Sequence, residues 1–108
     1  MAAFRYEFEW DRTKARTNLD KHGLNFEQAA TVFLDPLALT LLDDEHGETE
    51  TRWATIGRDR TGSYVLVVHT FEELTHNRGR VRLISARRPT KAEIRNYEEH
   101  DETRIRLQ

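Results

Sequence analysis

Residues 64–88 read YVLVVHTFEELTHNRGRVRLISARR, and the fold turns on how this stretch is divided. Tyr64 to Thr70 is almost wholly apolar, as expected of a central strand covered on both faces. Phe71 to Gly79 reads as a polar loop. Arg80 to Ala86 is a second strand, and Pro89 breaks the chain after it. A period of two puts Arg80, Arg82, Ile84, Ala86 and Arg88 on one face and Val81, Leu83, Ser85 and Arg87 on the other. Val81 and Leu83 are expected to face the helices, which leaves Arg82 on the open face. Strict alternation assigns Arg87 to the core side, at a strand end from which it could reach round the sheet edge.

The flanking sequence supplies the remaining elements. Phe4, Tyr6, Phe8 and Trp10 alternate with charged residues, the pattern of a half-buried strand. Asp11 offers an N-cap, Arg12 to His22 favours helix, and Gly23 is a stop signal. Asn25-Phe26-Glu27-Gln28 opens a second short helix whose apolar face is Phe26, Ala29, Ala30 and Phe33, ended by Asp35-Pro36. Leu37 to Leu42 and Thr51 to Arg58 read as strands, with an acidic turn around His46-Gly47 and a tight turn at Asp59-Arg60-Thr61-Gly62. Thr90-Lys91-Ala92-Glu93 is a capping box for a last helix carrying Ile94 and Tyr97. The order is β-α-α-β-β-β-β-α. It predicts an α+β fold, a small antiparallel sheet with helices packed on one side.

The chain of 108 residues predicts a single domain spanning 1–108, with 37% hydrophobic and 33% charged residues. It has no cysteine, which removes disulfides and a thiolate nucleophile and suits a cytoplasmic protein. The N-terminus has no apolar signal-peptide core, and no apolar run reaches membrane-spanning length. Net charge is −2 and the pI about 6.2, which argues against a general polyanion binder. The average hides a division. Acidic residues cluster at Asp43, Asp44, Glu45, Glu48 and Glu50, and again at Glu98, Glu99, Asp101 and Glu102. Seven basic residues from Arg78 to Arg95 are opposed only by Glu93. Local field decides where a polyanion docks.

Guanidinium groups bind phosphate through paired hydrogen bonds and stay charged at any working pH. Arg80, Arg82, Arg87 and Arg88 are therefore candidates to meet a phosphate-bearing partner. They equally fit a solvated strand face paired with the acidic stretches, and composition leaves both readings open. Lys21 and His22 close the first helix, where the macrodipole favours cations. His22 is either a capping group or a proton-transfer group beside a cationic lysine. His69, near the end of a buried strand, reads first as a hydrogen-bonded core residue. Trp10, Trp53 and Tyr97 could stack on bases or fill the core. No metal-ligand spacing occurs, so no metal and no cofactor are expected.

Taken in order, Phe8-Glu9-Trp10-Asp11, Lys21-His22-Gly23, Val32-Phe33-Leu34-Asp35, Arg52-Trp53, Val67-Val68-His69-Thr70 and Arg82-Leu83-Ile84-Ser85-Ala86-Arg87-Arg88, closing with Glu93 and Tyr97, resemble the BrnT family of toxins from bacterial type II toxin–antitoxin systems. The resemblance runs from about Phe4 to Tyr97. It implies a RelE-like fold, a ribonuclease that blocks translation, and a BrnA-like antitoxin. That antitoxin would form a hetero-oligomer with the toxin and carry the operator-DNA contact that represses their operon. The segment Glu72–Arg78 departs from the family pattern as a longer hairpin.

With that resemblance, metal-free RNA cleavage is expected, in which the ribose 2′-hydroxyl attacks the adjacent phosphate and the protein supplies no nucleophile. Arg82 and Arg87 would stabilise the added negative charge. His22 would act as base or acid beside Lys21, with Tyr97 as a further candidate. Arg52, Trp53, Arg80 and Arg88 would hold the RNA. A non-catalytic module binding protein or nucleic acid, and a nuclease active only on ribosomes, are the alternatives.

Overall fold

Each helix begins where a short polar side chain can satisfy free backbone N–H groups. In the computed structural model, which describes the backbone of residues 4–43 and 50–107 and side chains as far as His100, Asp11 accepts from Lys14 N at 3.0 Å to open α1, Arg12–His22. Gly23 closes α1 at φ 70°, a left-handed conformation that favours glycine, with its N–H on the Leu19 carbonyl. Asn25 accepts from Gln28 N at 2.7 Å and opens α2, Phe26–Ala30, which tightens into a 3-10 turn, Thr31–Leu34. Thr90 and Glu93 form the expected reciprocal box at the start of α3, Lys91–Leu107. Among the described residues no helix is long and apolar enough to cross a membrane.

The strands are β1, Arg5–Trp10; β2, Leu39–Leu42; β3, Trp53–Arg58; β4, Tyr64–Thr75; and β5, Arg78–Arg87. They form one five-stranded sheet in the order β1-β5-β4-β3-β2. The α+β class and element order agree with expectation, and three details differ. First, β1 lies parallel to β5, so the sheet is mixed. A helix, not a tight turn, follows β1, and only tight turns impose antiparallel neighbours. Second, Phe71 to Gly79 is a hairpin arm, not a loop. Its polar residues pair across the strands, Glu72 opposite Arg80, with the turn confined to His76 and Asn77. Third, α3 packs on the face opposite α1 and α2. Tyr97 and Ile94 meet Leu39, Ile56 and Tyr64 there, whereas α2 and the 3-10 turn cover Val65, Val67, Val81, Leu83 and Ala86. The acidic turn at His46-Gly47, with Asp44, Glu45 and Glu48, lies outside the described residues, as do the side chains of Asp101 and Glu102.

Pairing register defines the two faces. Tyr6, Phe8 and Trp10 share a core face with Val81, Leu83, Phe71, His69, Trp53 and Thr55. Arg80, Arg82, Thr70, Val68, Leu66 and Ala54 point the other way. In β5 the alternation breaks once: Val68 pairs with Ser85 and His69 with Leu83, so Ile84 is an extra residue. This β-bulge shifts everything after it by one position. Ala86 therefore enters the core, fully buried opposite Val67, and Arg87 turns to the face that carries Arg80 and Arg82. The expected core-side position of Arg87 is corrected by that residue.

β1 ends opposite Leu83, which leaves the edge of β5 unpaired from the bulge onward. Asn18 of α1 takes the place of a neighbouring strand. Its side chain donates to the carbonyls of Ala86 at 2.9 Å and Leu24 at 3.0 Å and accepts from Ala86 N at 2.9 Å. The side chain is buried. At the end of the β3–β4 hairpin, Asp59 organises the turn and bonds α2. It accepts from Thr61 N, Ser63 N, the Thr61 hydroxyl and the Gln28 amide, the last at 2.6 Å. Gly62 at φ 87° completes the turn.

Two outcomes follow. Asn18→Ala strands two backbone carbonyls and one N–H, and should lower stability by about 2–3 kcal/mol in urea unfolding. Although burial opposes the charge on Asp59, the bonds from Gln28, Thr61 and Ser63 bring its pKa down to about 2. A carboxylate with a lowered folded pKa stabilises above its unfolded value and loses that contribution as pH falls. Stability should drop between pH 3.8 and about 2, and Asp59→Asn should flatten that part of the profile.

Candidate functional site

The face that carries the arginines is built from β5, β4 and the start of β3. Ser85, Ile84 and Arg87 form one wall of a hollow of about 420 Å³, closed by Arg52, Ala54, Leu66, Val68, Asp43 and Glu93. Ile84 and Ser85 are also one wall of a neighbouring hollow, whose other side is α1 with Lys14, Asn18, Lys21 and His22. The bulge thus stands between the C-terminal turn of α1 and the arginines. On the other flank, Arg80 and Arg82 line a third hollow with Glu9, Glu50 and Glu72.

Every one of these arginines holds a carboxylate. Arg87 forms a fork to Glu93, Nη1 to Oε1 and Nη2 to Oε2, both at 2.9 Å, while Nη1 also donates to the Arg88 carbonyl. The fork raises the guanidinium pKa further and holds the Glu93 carboxyl below its ordinary range, against the effect of burial. Glu93 is fixed in turn by Thr90 N. Arg82 donates to Glu50, which also lies 3.8 Å from Arg52, so one carboxylate bridges two cations. The Arg52 Nε is buried with no hydrogen-bond partner among the described residues. Arg80 bonds Glu72 at 2.8 Å and Arg78 bonds Glu7. Three of the five N–H donors of Arg87 are used by these bonds, so an incoming oxyanion can still be bound by the rest. Chemically, this is a set of guanidinium groups on one face, able to bind phosphate oxygens once a carboxylate yields or shares.

The sequence-derived candidates divide accordingly. Arg52, Arg80, Arg82 and Arg87 share the face, and Lys21 and His22 border it on an exposed helix end. Arg88 sits past the strand and donates to the Tyr64 carbonyl at 3.1 Å. Trp53 lies on the core face opposite His69, on the other side of the sheet from the arginines. Tyr97 is buried, and its hydroxyl donates to Asp35 Oδ2 at 2.7 Å. Burial and that bond to a carboxylate push its pKa well up. Tyr97 is thereby committed to an anchor in which Asp35 also accepts from Arg58 N and Leu37 N. His69 is likewise buried. Its Nδ1 faces the Thr70 carbonyl and so carries the proton. Its Nε2 accepts from Thr55, whose hydroxyl is bonded to Thr40. Burial lowers its pKa and keeps the ring neutral. His69 is a core residue of the opposite face.

Sequence reasoning did not single out Ser85, Glu50 or Glu93 for the site. The resemblance quotes Ser85 and Glu93, and the Thr90–Glu93 capping box marks Glu93 again, but neither residue carries a site role in the sequence reading. Among the described residues no three His, Asp or Glu side chains come together as metal ligands.

The family described as "ribonuclease toxin, BrnT, of type II toxin–antitoxin system" matches residues 10–93. The crystal structure of the ribonuclease toxin BrnT of Brucella abortus is similar in fold, with a TM-score of 0.54 and 21% identity over 82% of this chain and 100% of that one. No curated protein sequence matches.

As an anchor, Tyr97 donates one buried hydrogen bond to a charged acceptor, and Tyr97→Phe should cost about 1.5–3 kcal/mol in urea unfolding.

Proposed function

The chain belongs to the BrnT family of ribonuclease toxins of type II toxin–antitoxin systems, and from that premise we propose that it is a metal-independent endoribonuclease acting on RNA across the arginine face. The observation that carries this reading is the bulge at Ile84, which turns Arg87 to the side of Arg82 and Arg52 and leaves Ser85 between them and His22.

In this mechanism the 2′-hydroxyl of the substrate attacks the adjacent phosphorus, the P–O5′ bond breaks, and a 2′,3′-cyclic phosphate forms. The 2′ proton goes to a base, and the 5′ oxygen receives a proton. Arg82 and Arg87 bind the non-bridging oxygens as their charge grows. Held by Glu50 and Glu93, the two guanidinium groups need little reorganisation, which makes electrostatic stabilisation effective. His22 exchanges the protons, with Lys21 beside it. Arg52 and Arg80 hold phosphates on either side. Tyr97 and Trp53 leave the list of groups that touch RNA, the first because its hydroxyl is committed to Asp35, the second because it faces the other way. The outcome is inhibited translation, relieved by a BrnA-like antitoxin that also brings the complex to operator DNA.

The carboxylates on Arg52, Arg80, Arg82 and Arg87 favour one further reading, in which RNA is cut only when presented in place, as on a translating ribosome. A loose strand must displace them unaided.

The test is cleavage of a single-stranded RNA by wild type, His22→Ala and Arg82→Ala. Each variant should lose about 10²–10³ in rate, as for removal of an oxyanion-hole donor. Undiminished activity in both would sink the assignment, and any cutting of a 2′-deoxy substrate would exclude 2′-hydroxyl attack. Running free RNA and translating ribosomes side by side separates the two substrates.

A further inference from the structure

The core face is covered by helices at one end only. At the other, Phe4, Tyr6, Phe8 and Phe71 remain 37–43% exposed. Their rings touch in a continuous row: Phe71 with Phe4, Phe4 with Tyr6, Tyr6 with Phe8, at centroid distances of 5.0–6.3 Å. Phe33 closes the row against Tyr6 and Phe8. The row has a made floor. A Cβ on Gly79 would lie 2.5 Å from the Phe71 ring, so only glycine lets that ring lie across β5. Beside it opens a hollow of about 480 Å³ walled by Trp53, Phe33, Tyr6 and Phe71. Contiguous apolar surface of this kind marks an interaction site.

Charge selects the occupant. Among the described residues no lysine or arginine lines the hollow, whereas Asp35 does. The Asp35 carboxyl is held below its ordinary pKa, despite burial, by the Arg58 N–H and the Tyr97 hydroxyl, so it stays charged. Glu73, opposite Gly79, adds a second carboxylate to this face. Such a rim repels a phosphate backbone and suits an apolar segment with basic flanks. The arginine face, by contrast, already holds its own carboxylates and gains little from an acidic partner.

We infer that the antitoxin docks on this aromatic face, through an apolar segment with flanking lysine or arginine, and not on the arginine groove. The inference rests on the reading of the chain as the toxin of a toxin–antitoxin pair. It makes inhibition indirect: the antitoxin need not occupy the RNA site to form the complex.

The probe is the antitoxin encoded beside the toxin gene, purified and titrated into wild type, Tyr6→Arg, Phe71→Arg and Arg82→Ala, with carbene footprinting of the wild-type complex. Each aromatic variant should lose at least about 30-fold in affinity, as hot-spot changes do. Arg82→Ala should bind as wild type, and the footprint should protect Tyr6 and Phe71. Circular dichroism and unfolding midpoints of the variants separate lost docking from lost fold, and the footprint needs no variant. Unchanged affinity in both aromatic variants, or protection confined to the arginine groove, would overturn the inference. A wild-type homodimer dissolved by Tyr6→Arg would also overturn it, by giving the face to a second copy. So would loss of RNA binding in the aromatic variants. If wild type cuts no RNA, the titration and footprint still decide the docking, so the two readings fail separately.

Discussion

One extra residue in β5 sets the chemistry of this molecule. With regular alternation, Ala86 would face outward and Arg87 would be driven into a core that has no partner for it. Burying an unpaired guanidinium there would cost several kcal/mol. The bulge at Ile84 puts Ala86 under the helices and Arg87 beside Arg82. The bulge itself needs support, because it falls where β1 has already ended. Asn18 provides it with three side-chain hydrogen bonds, two of them to Ala86. Fixing α1 in this way also carries Lys21 and His22 to the border of the arginine face. Fold and candidate site thus share one device.

The sheet divides its work by face. One side carries charge: Arg78, Arg80, Arg82 and Arg87, each on a carboxylate from a different segment. Exposed pairs of this kind add little to stability, and their effect is to tether the guanidinium groups on one face of the sheet. The other side carries rings and a rim of two carboxylates, Asp35 and Glu73. A net charge of −2 is compatible with phosphate binding on these terms, because the acidic residues are not spread evenly. They pair with the arginines on one face, and Asp35 and Glu73 lie on the other.

Local chemistry was legible in the sequence. Asp11, Gly23, Asn25 and Thr90 mark helix ends because each acts on neighbours within a few residues. Order and class of the elements follow from those marks and from the apolar runs. What escaped was decided at long range. The parallel pairing of β1 depends on where β5 returns, more than 70 residues later in the chain. Asn18 looks like any polar helix residue until Ala86 is beside it, 68 residues away. The bulge has no sequence mark of its own, since Leu83-Ile84-Ser85-Ala86 reads as ordinary strand, and period-two reasoning fails silently there. Phe71 to Gly79 looked polar because cross-strand ion pairs resemble loop composition. Tyr97 and His69 carried the right functional groups, but burial and bonds to Asp35 and Thr55 occupy them.

In the proposed mechanism RNA meets the arginine face, which the bulge at Ile84 makes continuous. The most direct measurement is NMR of the arginine side-chain Nε–H groups and the backbone amides while a non-cleavable 2′-deoxy oligonucleotide of the substrate sequence is added. Shifts should appear at Arg52, Arg82, Arg87 and the Ser85 amide, with Tyr6, Trp53 and Phe71 unmoved. Shifts concentrated on Tyr6, Trp53 and Phe71, with the arginines silent, would contradict that mechanism.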